Sequence, residues 1–461
     1  MSINGILNTA TNSLLTYQLA IDLAGSNIAN VNTPGYSRQR PVIQSVYSVD
    51  LGSNRAQVDV NVAKIERIYD EYLENQVVKQ AQALGYGEAK SDFMGRIEGI
   101  VGEGTGGPSD LLNKFWNAWG ELSANPQGQA ARNSLLAAAE NLTSTFRRID
   151  SDLTQVVGDA GDQINGMVAE INNYLSEIAD LNSKITSYAN DRGEANIHKD
   201  NRMELLKKLS GLLDINYLED GIGAINVFLA DGRSLISNDK VRPLAVEMNG
   251  ANAVSDIVYA DNTSESLKSA IVKGKGGKLA ALLELGDTIV PGYREKLDAF
   301  AATLTSEVNA IHRLGYDAYG NAGGDFFVPA TDAGSFSVSD AVVSDINKIA
   351  ISATLNGDGE NARIIGAIRD ELVMSGGSAT LNDYYSSLVG QIGRDVADAK
   401  SNMEYRTSVM KQLTDRRESV SGVSLDEEMM ELIKYQMAYN AAGKLVSTVN
   451  EMLTTLMQLG R

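Results

Sequence analysis

The sequence predicts a mainly α-helical protein with a β-rich middle domain, in which the N- and C-terminal helices pair in a coiled-coil-like bundle. Three observations support this fold class. Apolar residues recur at alternating spacings of four and three over roughly the first thirty residues. A matching stripe occupies roughly the last thirty. From residue 214 to residue 272, short strand-like runs alternate with Gly, Asn and Asp turns.

Composition limits the function classes. The chain has 461 residues, so several domains are expected. Its formal net charge of −19 disfavours binding to nucleic-acid phosphates. Cysteine is absent, which excludes disulfides, thiolate metal ligands and a cysteine nucleophile. The N-terminal run lacks a basic region and a cleavage site, and no stretch of about 18 residues is apolar enough to span a bilayer. We expect no membrane insertion, and any export must use a route that reads no cleavable signal.

The first predicted element is a helix from about Ser2 to Val31. Asp22 is the only charged side chain through Ser37, and Asn, Ser, Thr and Gln occupy the positions where a solvated helix carries charge. Such a helix can be packed on several sides once partners are supplied. The seam residues that we expect at an assembly interface are Ile3, Leu7, Leu14, Tyr17, Ile21 and Ile28.

The C-terminal end has the same character. From Ala438 to Gly460 only Lys444 and Glu451 are charged. A stripe alone is typical of an ordinary core helix, but chain ends usually fray and are polar. Because both ends share this composition, we predict that they form one two-helix unit. The expected interface residues here are Leu432, Tyr435, Tyr439, Val446, Val449, Leu453 and Leu456, with a flanking stripe of Ala438, Leu445, Met452 and Leu459.

The segments between the ends follow in order. Pro34 and Gly35 must stop the first helix. Residues 39–62 then read as a hairpin with a turn at Gly52-Ser53-Asn54. The remaining helices are predicted over 69–100, 111–125, 130–149, 164–185, 202–213 and 278–289, then beyond a break at Pro291-Gly292 to His312, and from Leu381 to the end.

Three domains are expected from this pattern. The helical assembly core comprises 1–62 and 401–461. A helical domain comprises 63–212, 278–316 and 366–400. A β-rich outer domain comprises 213–277 and 317–365, including an extended patch at Phe336-Ser337-Val338.

Several motifs suggest chemistry, but their context favours structure. The glycine run at 102–107 matches G-x-G-x-x-G, yet it follows a helix rather than a strand. The run at 273–278 lacks the Ser or Thr of a phosphate loop, and the run at 356–360 lacks the ligand order of a calcium loop. His198 and His312 lie in helical patterns. We therefore expect no cofactor, no metal site and no catalytic residue.

The region around the end of the first helix resembles a known family. The sequence Ala29-Asn30, followed by Thr33-Pro34-Gly35 and an aromatic, resembles the N-terminal signature of flagellar rod, hook and hook-associated proteins. The continuation Tyr36-Ser37-Arg38-Gln39 is similar to the hook-associated members. Ser424 to Met429 and Tyr435 to Ala442 resemble the C-terminal segment of the family. We include Asn30, Pro34, Gly35 and Tyr36 in the expected assembly interface.

Internal segments at 110–132, 171–213 and 297–327 agree with this resemblance, and the short chain implies a reduced outer domain. The resemblance implies an extracellular structural subunit, without catalysis, that joins hook to filament and is exported by the flagellar type III apparatus. It implies as partners other copies in a ring, the hook protein, a second junction protein (hook-associated protein 3) and an export chaperone at the C-terminal helix. It also implies termini that fold on assembly, which fits a two-helix seam of marginal stability.

Three alternatives remain open from the sequence. A hook or distal-rod protein would share the terminal motifs. A flagellum-associated muramidase would use paired carboxylates to cut cell wall. A cytoplasmic coiled-coil scaffold would have ordered terminal helices in the isolated monomer.

Overall fold

The two chain ends form one structural unit. The computed structural model describes residues 3–50, 55–102, 106–188, 193, 195–248, 253–355 and 357–459, and elements are numbered in chain order. Helix α1 spans Ile3–Ala29 and helix α12 spans Leu425–Leu459. They lie antiparallel, because Asn27 of α1 contacts Glu428 while Tyr17 contacts Tyr435 further along α12. The predicted pairing of the terminal helices is confirmed.

A hairpin packs against α1 on a second side. Strand β1, Gln39–Asp50, pairs antiparallel with β2, Arg55–Arg67. The second strand runs further than the sequence indicated, and the predicted turn at 52–54 lies outside the described residues. Because α1 touches both the hairpin and α12, its small uncharged side chains are covered on two sides.

The helical body lies beyond the hairpin. Its core contains a cluster of aromatic rings, in which Phe146 stacks on Phe300 with centroids 4.8 Å apart and Trp119 lies 5.2 Å from Phe326. The body helices are α2 (Glu71–Val101), α3 (Pro108–Ala124), α4 (Gln129–Ser187), α5 (Ala195–Leu212), α6 (Lys268–Gly274), α7 (Gly277–Glu284), α8 (Val290–His312), α9 (Asp340–Ser344), α10 (Glu360–Ala367) and α11 (Leu381–Ser421).

A single long helix replaces two helices that the sequence predicted. The sequence indicated separate helices over 130–149 and 164–185, but α4 is continuous for 59 residues. Leu153, Val156 and Ala160 are buried in the linking stretch, so the apolar stripe continues through it at spacings of three and four.

The predicted break at Pro291 is wrong. Helix α7 continues through a π-helical turn at Leu285–Ile289 directly into α8. Because the helix is continuous, Pro291 lies within it, directly after the π turn. The wider π turn accommodates the register change that a proline would otherwise force on the helix.

Two antiparallel sheets form the β-rich middle. Both pack on the C-terminal half of α4: Asn172 donates to the Leu244 carbonyl at 2.8 Å, and Asn182 donates to the Ile225 carbonyl at 2.8 Å. The first sheet contains β3 (Ile215–Glu219), β4 (Ile225–Leu229), β5 (Ser234–Ser237) and β6 (Lys240–Val241), and the second contains β7 (Leu244–Met248), β8 (Val254–Tyr259) and β9 (Asn262–Ser266).

Residues 313–352 lie at the other end of α4. Arg132 donates to the Ile346 and Ile349 carbonyls at 3.1 Å each. Arg132 and Asn172 are separated by about 60 Å along the helix, at a rise of about 1.5 Å per residue. The predicted extended patch at 336–338 forms only an isolated bridge to Phe327. We therefore propose assigning 317–365 to the helical body rather than to the β-rich domain.

Candidate assembly site at the paired chain ends

Helix α1 is held on two faces. On the hairpin side, the Thr16 hydroxyl donates to the Val60 carbonyl at 3.2 Å, and Ala20 is fully buried. On the other side, the rings of Tyr17 and Tyr435 lie 6.5 Å apart. Thr16 and Ala20 are small residues, so the backbone of α1 can lie close to the hairpin at these positions.

The predicted interface residues are only partly covered by the single chain. Tyr36 and Val449 are buried, while Pro34, Tyr439 and Leu456 are exposed. The others are half-buried, namely Ile3, Leu7, Leu14, Tyr17, Ile21, Ile28, Asn30, Gly35, Leu432, Tyr435, Val446 and Leu453. One copy of the chain therefore covers part of this surface and leaves the remainder to solvent.

An apolar stripe along α12 faces solvent. It recurs at helical spacing on the side away from α1, so α1 cannot cover it. Leu445 and Met452 belong to the flanking stripe that the sequence indicated. The residues nearer the start of α12 were not predicted from the sequence, although their spacing of three and four was a usable signal. We call this set the outer α12 stripe: Met430, Ile433, Met437, Leu445, Met452 and Leu456, each at least half exposed.

At the base of the helix pair, Asn27 is the centre of a buried hydrogen-bond network. Its amide nitrogen donates to the Gln39 carbonyl at 2.8 Å and to the Glu428 carboxylate at 2.9 Å. Its amide oxygen accepts from the Tyr36 hydroxyl at 2.8 Å and from the Gln39 N–H at 3.1 Å. Asn27 is 1% exposed, so this complete pairing avoids the cost of an unsatisfied polar group. The sequence analysis did not identify Asn27 as a central residue.

Arg38 joins the same network from the other side. Its Nε lies 2.6 Å from the Glu428 carboxylate, it also pairs with Glu427, and its N–H donates to the Ser421 carbonyl at 2.9 Å. Partial burial alone would lower the pKa of Arg38, but the two carboxylates outweigh it and raise that pKa. Burial also raises the pKa of the Tyr36 hydroxyl, which keeps it protonated as the donor to Asn27.

Two buried ion pairs connect this base to the body. Asp200 of α5 accepts from the Ser37 N–H at 3.0 Å and pairs with Arg67 of β2 at 2.6 Å. Glu74 of α2 pairs with Arg417 of α11 at 3.0 Å.

Arg417 also donates to the Gly35 carbonyl at 2.8 Å, and Lys207 lies 3.1 Å from Glu74. The motif at the end of α1 is thus tied to three body helices. We call the Asn27 network and these two ion pairs the polar joint.

The geometry of the motif explains its glycine. Gly35 has a φ of +78°, a backbone conformation that residues other than glycine rarely adopt. A Cβ at this position would also lie 3.0 Å from the Glu204 carboxylate. Nearby, Asn30 donates to the Ser26 carbonyl at 2.9 Å and closes the end of α1.

The motifs that suggested chemistry have structural contacts. His312 lies fully buried at the end of α8: its Nδ1 is 2.7 Å from the Gly324 carbonyl, and its Nε2 accepts from the Ala350 N–H at 2.9 Å. His198 stacks on Tyr188. In the 356–360 run, the Asp358 carboxylate accepts from the Thr354 hydroxyl and from the Ala353 and Glu360 N–H groups, and these hydrogen bonds lower its pKa to about 2.

The glycine run at 102–107 leads from α2 into α3, with 103–105 outside the described residues. The run at 273–278 joins α6 to α7. Among the residues described, no group of three or more His, Asp or Glu side chains could hold a metal ion. In the same part of the chain, no helix is both long and apolar enough to cross a bilayer.

A body joined by a buried polar joint to a helix pair that exposes apolar side chains is the architecture of a structural protein. The particular family follows from comparison with known proteins. The chain belongs to the flagellar hook-associated protein FlgK family, because residues 94–327 match the model of the FlgK helical domain. Residues 7–36 match the flagella basal body rod protein model, and residues 417–459 match the C-terminal model of the basal body rod FlgEFG proteins. The resemblance that the sequence indicated is confirmed.

Two curated relatives match over nearly their whole length. A flagellar hook-associated protein 1 of Bacillus subtilis is 28% identical over 97% of this chain and 96% of its own length. A protein of the same name from Escherichia coli is 25% identical, with 99% and 100% covered. The flagellar hook junction protein FlgK structure from Burkholderia pseudomallei has a TM-score of 0.67 at 16% identity, covering 75% of this chain and 100% of that one, which shows a shared fold.

Proposed function

We propose that this chain is the structural subunit that joins the hook to the filament of a bacterial flagellum. The observation that carries the proposal is the outer α12 stripe on a helix pair made from both chain ends. Monomeric proteins rarely expose a continuous apolar stripe of this kind unless it meets another protein or a membrane. Family membership supports the flagellum as the place where that surface is covered.

The proposed mechanism is packing. The two terminal helices line the inside of a tube, and the body forms its outer wall. Covering one half-exposed Leu, Ile or Met contributes about 1 kcal/mol, so six such residues supply on the order of 5–10 kcal/mol per copy. The polar joint ties the helix pair to the body, because breaking one of its ion pairs leaves a buried charge without its partner.

The partners are proposed accordingly. Copies of the chain form a ring through the helix pair, the hook protein meets one side, and the second junction protein, hook-associated protein 3, meets the other. Before assembly, the outer α12 stripe is the surface that an export chaperone covers. The protein is secreted through the flagellum, and its function requires no chemical step.

Electron microscopy of cells lacking this chain tests the proposal. We expect hooks without filaments, and we expect full-length chain supplied in trans to restore the filaments. Filaments of normal number in the deletion strain would refute the proposal. A cell-wall digestion assay on the purified chain is expected to give no activity, and digestion above the buffer control would contradict the proposed absence of catalysis.

A further inference from the structure

The terminal helix pair carries a few isolated, exposed charges, among them one acid on α1 and one base on α12. Asp22 is the only charged side chain through residue 37, and Lys444 is the only base between 438 and 460. Both are exposed. In the part of the chain that the structure describes, neither has an ion-pair partner. Assembly covers this surface in the proposed function. Burying either charge alone would be costly, so each charge needs a partner of opposite sign in the assembly.

Asp22 lies at the middle of the exposed face of α1. That face contains otherwise small or uncharged residues at spacings of three and four, so Asp22 is its single specific feature. It points away from both the hairpin and α12. The other exposed residues of this face are Asn8, Thr11, Leu15, Gln18, Gly25 and Ala29.

Lys444 lies on the exposed face of α12, within the outer α12 stripe and next to Leu445. Met437 and Met452 flank it at two turns on either side, and methionine side chains adapt readily to small residues opposite them. The outer face of α12 is thus apolar with one base, whereas the outer face of α1 is uncharged apart from one acid, with Leu15 as its large apolar side chain. The two faces are complementary to each other and not to themselves.

The two charges cannot meet within one chain. Asn27 and Glu428 mark the same level of the antiparallel pair, because they are hydrogen-bonded. Asp22 lies five residues from Asn27, and Lys444 lies sixteen residues from Glu428 in the same direction. At about 1.5 Å per residue, Lys444 is therefore roughly 16 Å further along the pair than Asp22.

We propose that the outer face of α1 packs against the outer face of α12 of the next copy, with Asp22 of one copy paired to Lys444 of its neighbour. This inference rests on the proposed function and adds the register to it. Neighbouring helix pairs are staggered by roughly 16 Å, the distance that brings the two charges level. The contact uses different faces of the two copies, so it is heterologous, and with this stagger it closes into a ring only if the helix pairs are tilted relative to the tube axis.

The other charges nearby do not offer this pairing. Lys434 lies almost level with Asp22, but both oxygens of Glu431 already accept from it at 3.0 Å. Glu451 has no base opposite, since the first base of the chain is Arg38. Lys434 is therefore the matched control for Lys444. It is also a lysine of α12, but it would meet Asp22 of a neighbour only if the two helix pairs were not staggered.

Cysteine cross-linking tests the register directly, because the chain has no cysteine of its own. The double variant Asp22→Cys/Lys444→Cys is assembled in cells, and isolated hook structures are treated with a short bis-maleimide cross-linker and run on a denaturing gel. We expect a ladder of covalent multimers, since the linker spans the distance that an Asp–Lys pair leaves between its Cβ atoms, which is longer than the distance of about 4 Å in a disulfide. The control Asp22→Cys/Lys434→Cys is expected to remain monomeric. A ladder from the control, or only monomer from the test variant, would overturn the register.

Charge reversal tests the pairing. Asp22→Lys and Lys444→Asp are each expected to reduce the number of hooks that carry filaments about tenfold, because like charges in a closed interface repel strongly. The double reversal is expected to restore filaments, and so is co-expression of the two single variants, since each then supplies the partner of the other. The secreted amount of each variant is measured as the control for folding and export, and we expect it to be the same for all variants.

The outcomes separate the two proposals. If the unchanged chain fails to restore filaments to the deletion strain, the proposed function fails. If it restores them and both single reversals do so equally well, the function stands and the Asp22–Lys444 pairing is refuted.

Discussion

The ion pair between Glu74 and Arg417 gives the sharpest test of the polar joint. Their side chains are 2% and 5% exposed, and the Arg417 Nε lies 3.0 Å from the Glu74 carboxylate. Burial alone would lower the pKa of Arg417, but the Glu74 carboxylate outweighs it and raises that pKa. Replacing Arg417 by Met keeps the aliphatic stem and removes the charge, which leaves Glu74 buried with Lys207 as its remaining cation.

We expect Arg417→Met to lower the free energy of unfolding by about 3 kcal/mol. Loss of one partner from a buried pair costs roughly 3–5 kcal/mol, and Lys207 keeps the cost at the lower end. The Gly35 carbonyl also loses its donor, so the end of α1 should loosen.

The assay is urea unfolding of the purified monomer followed by far-ultraviolet circular dichroism. The matched control is Arg416→Met at the exposed neighbouring position, which should change the free energy of unfolding by no more than about 0.5 kcal/mol. Equal effects of the two variants, or a loss below about 1 kcal/mol for Arg417→Met, would show that the buried pair does not stabilise the joint as argued.

Three further predictions concern other parts of the chain. Leu14→Asp or Val446→Asp places a charge in the helix seam and should block polymerisation at a cost of several kcal/mol, roughly; normal filament growth in either variant would contradict the seam assignment. Removal of residues 1–31 should leave the body cooperatively folded by thermal circular dichroism but unable to enter flagella, and an unfolded body would contradict the layout. Burial lowers the pKa of His312, so its neutral form stabilises the fold. That stability is fully present above the pKa of an unfolded histidine, about 6.5, and is lost as pH falls through the lower folded value. Urea midpoints should therefore fall below pH 6 more steeply in the unchanged chain than in His312→Gln, and parallel profiles would exclude His312 as the cause.

The helix pair was predictable because its information is local. The seam of α1 can be predicted from the identity of residues three and four positions apart. The end of the helix can be predicted from Pro34 and Gly35. The same reasoning failed between 150 and 163, where the continuing stripe of Leu153, Val156 and Ala160 was not followed. It also failed at Pro291, because the π turn that precedes this proline has no sequence signature.

The polar joint was not predictable from the sequence. Asn27 and Glu428 are 401 positions apart, and Glu74 and Arg417 are 343 apart. No spacing rule connects such pairs, since their contact depends on the complete path of the chain. The position of residues 317–352 at the far end of α4 was not predictable for the same reason. It depends on contacts with Arg132 and His312, which are distant in the sequence.

The long, nearly uncharged terminal helices with apolar seams were predictable from the amino-acid sequence, and so was the motif of a flagellar assembly protein. Composition and periodicity are properties of neighbouring residues, so they can be recognised without knowledge of the fold. Three features are visible only in the folded chain: the face of each helix that is covered, the antiparallel pairing that sets Asn27 level with Glu428, and the different levels at which Asp22 and Lys444 are exposed. Those features follow from contacts between distant segments, because burial and register depend on what each face meets in three dimensions.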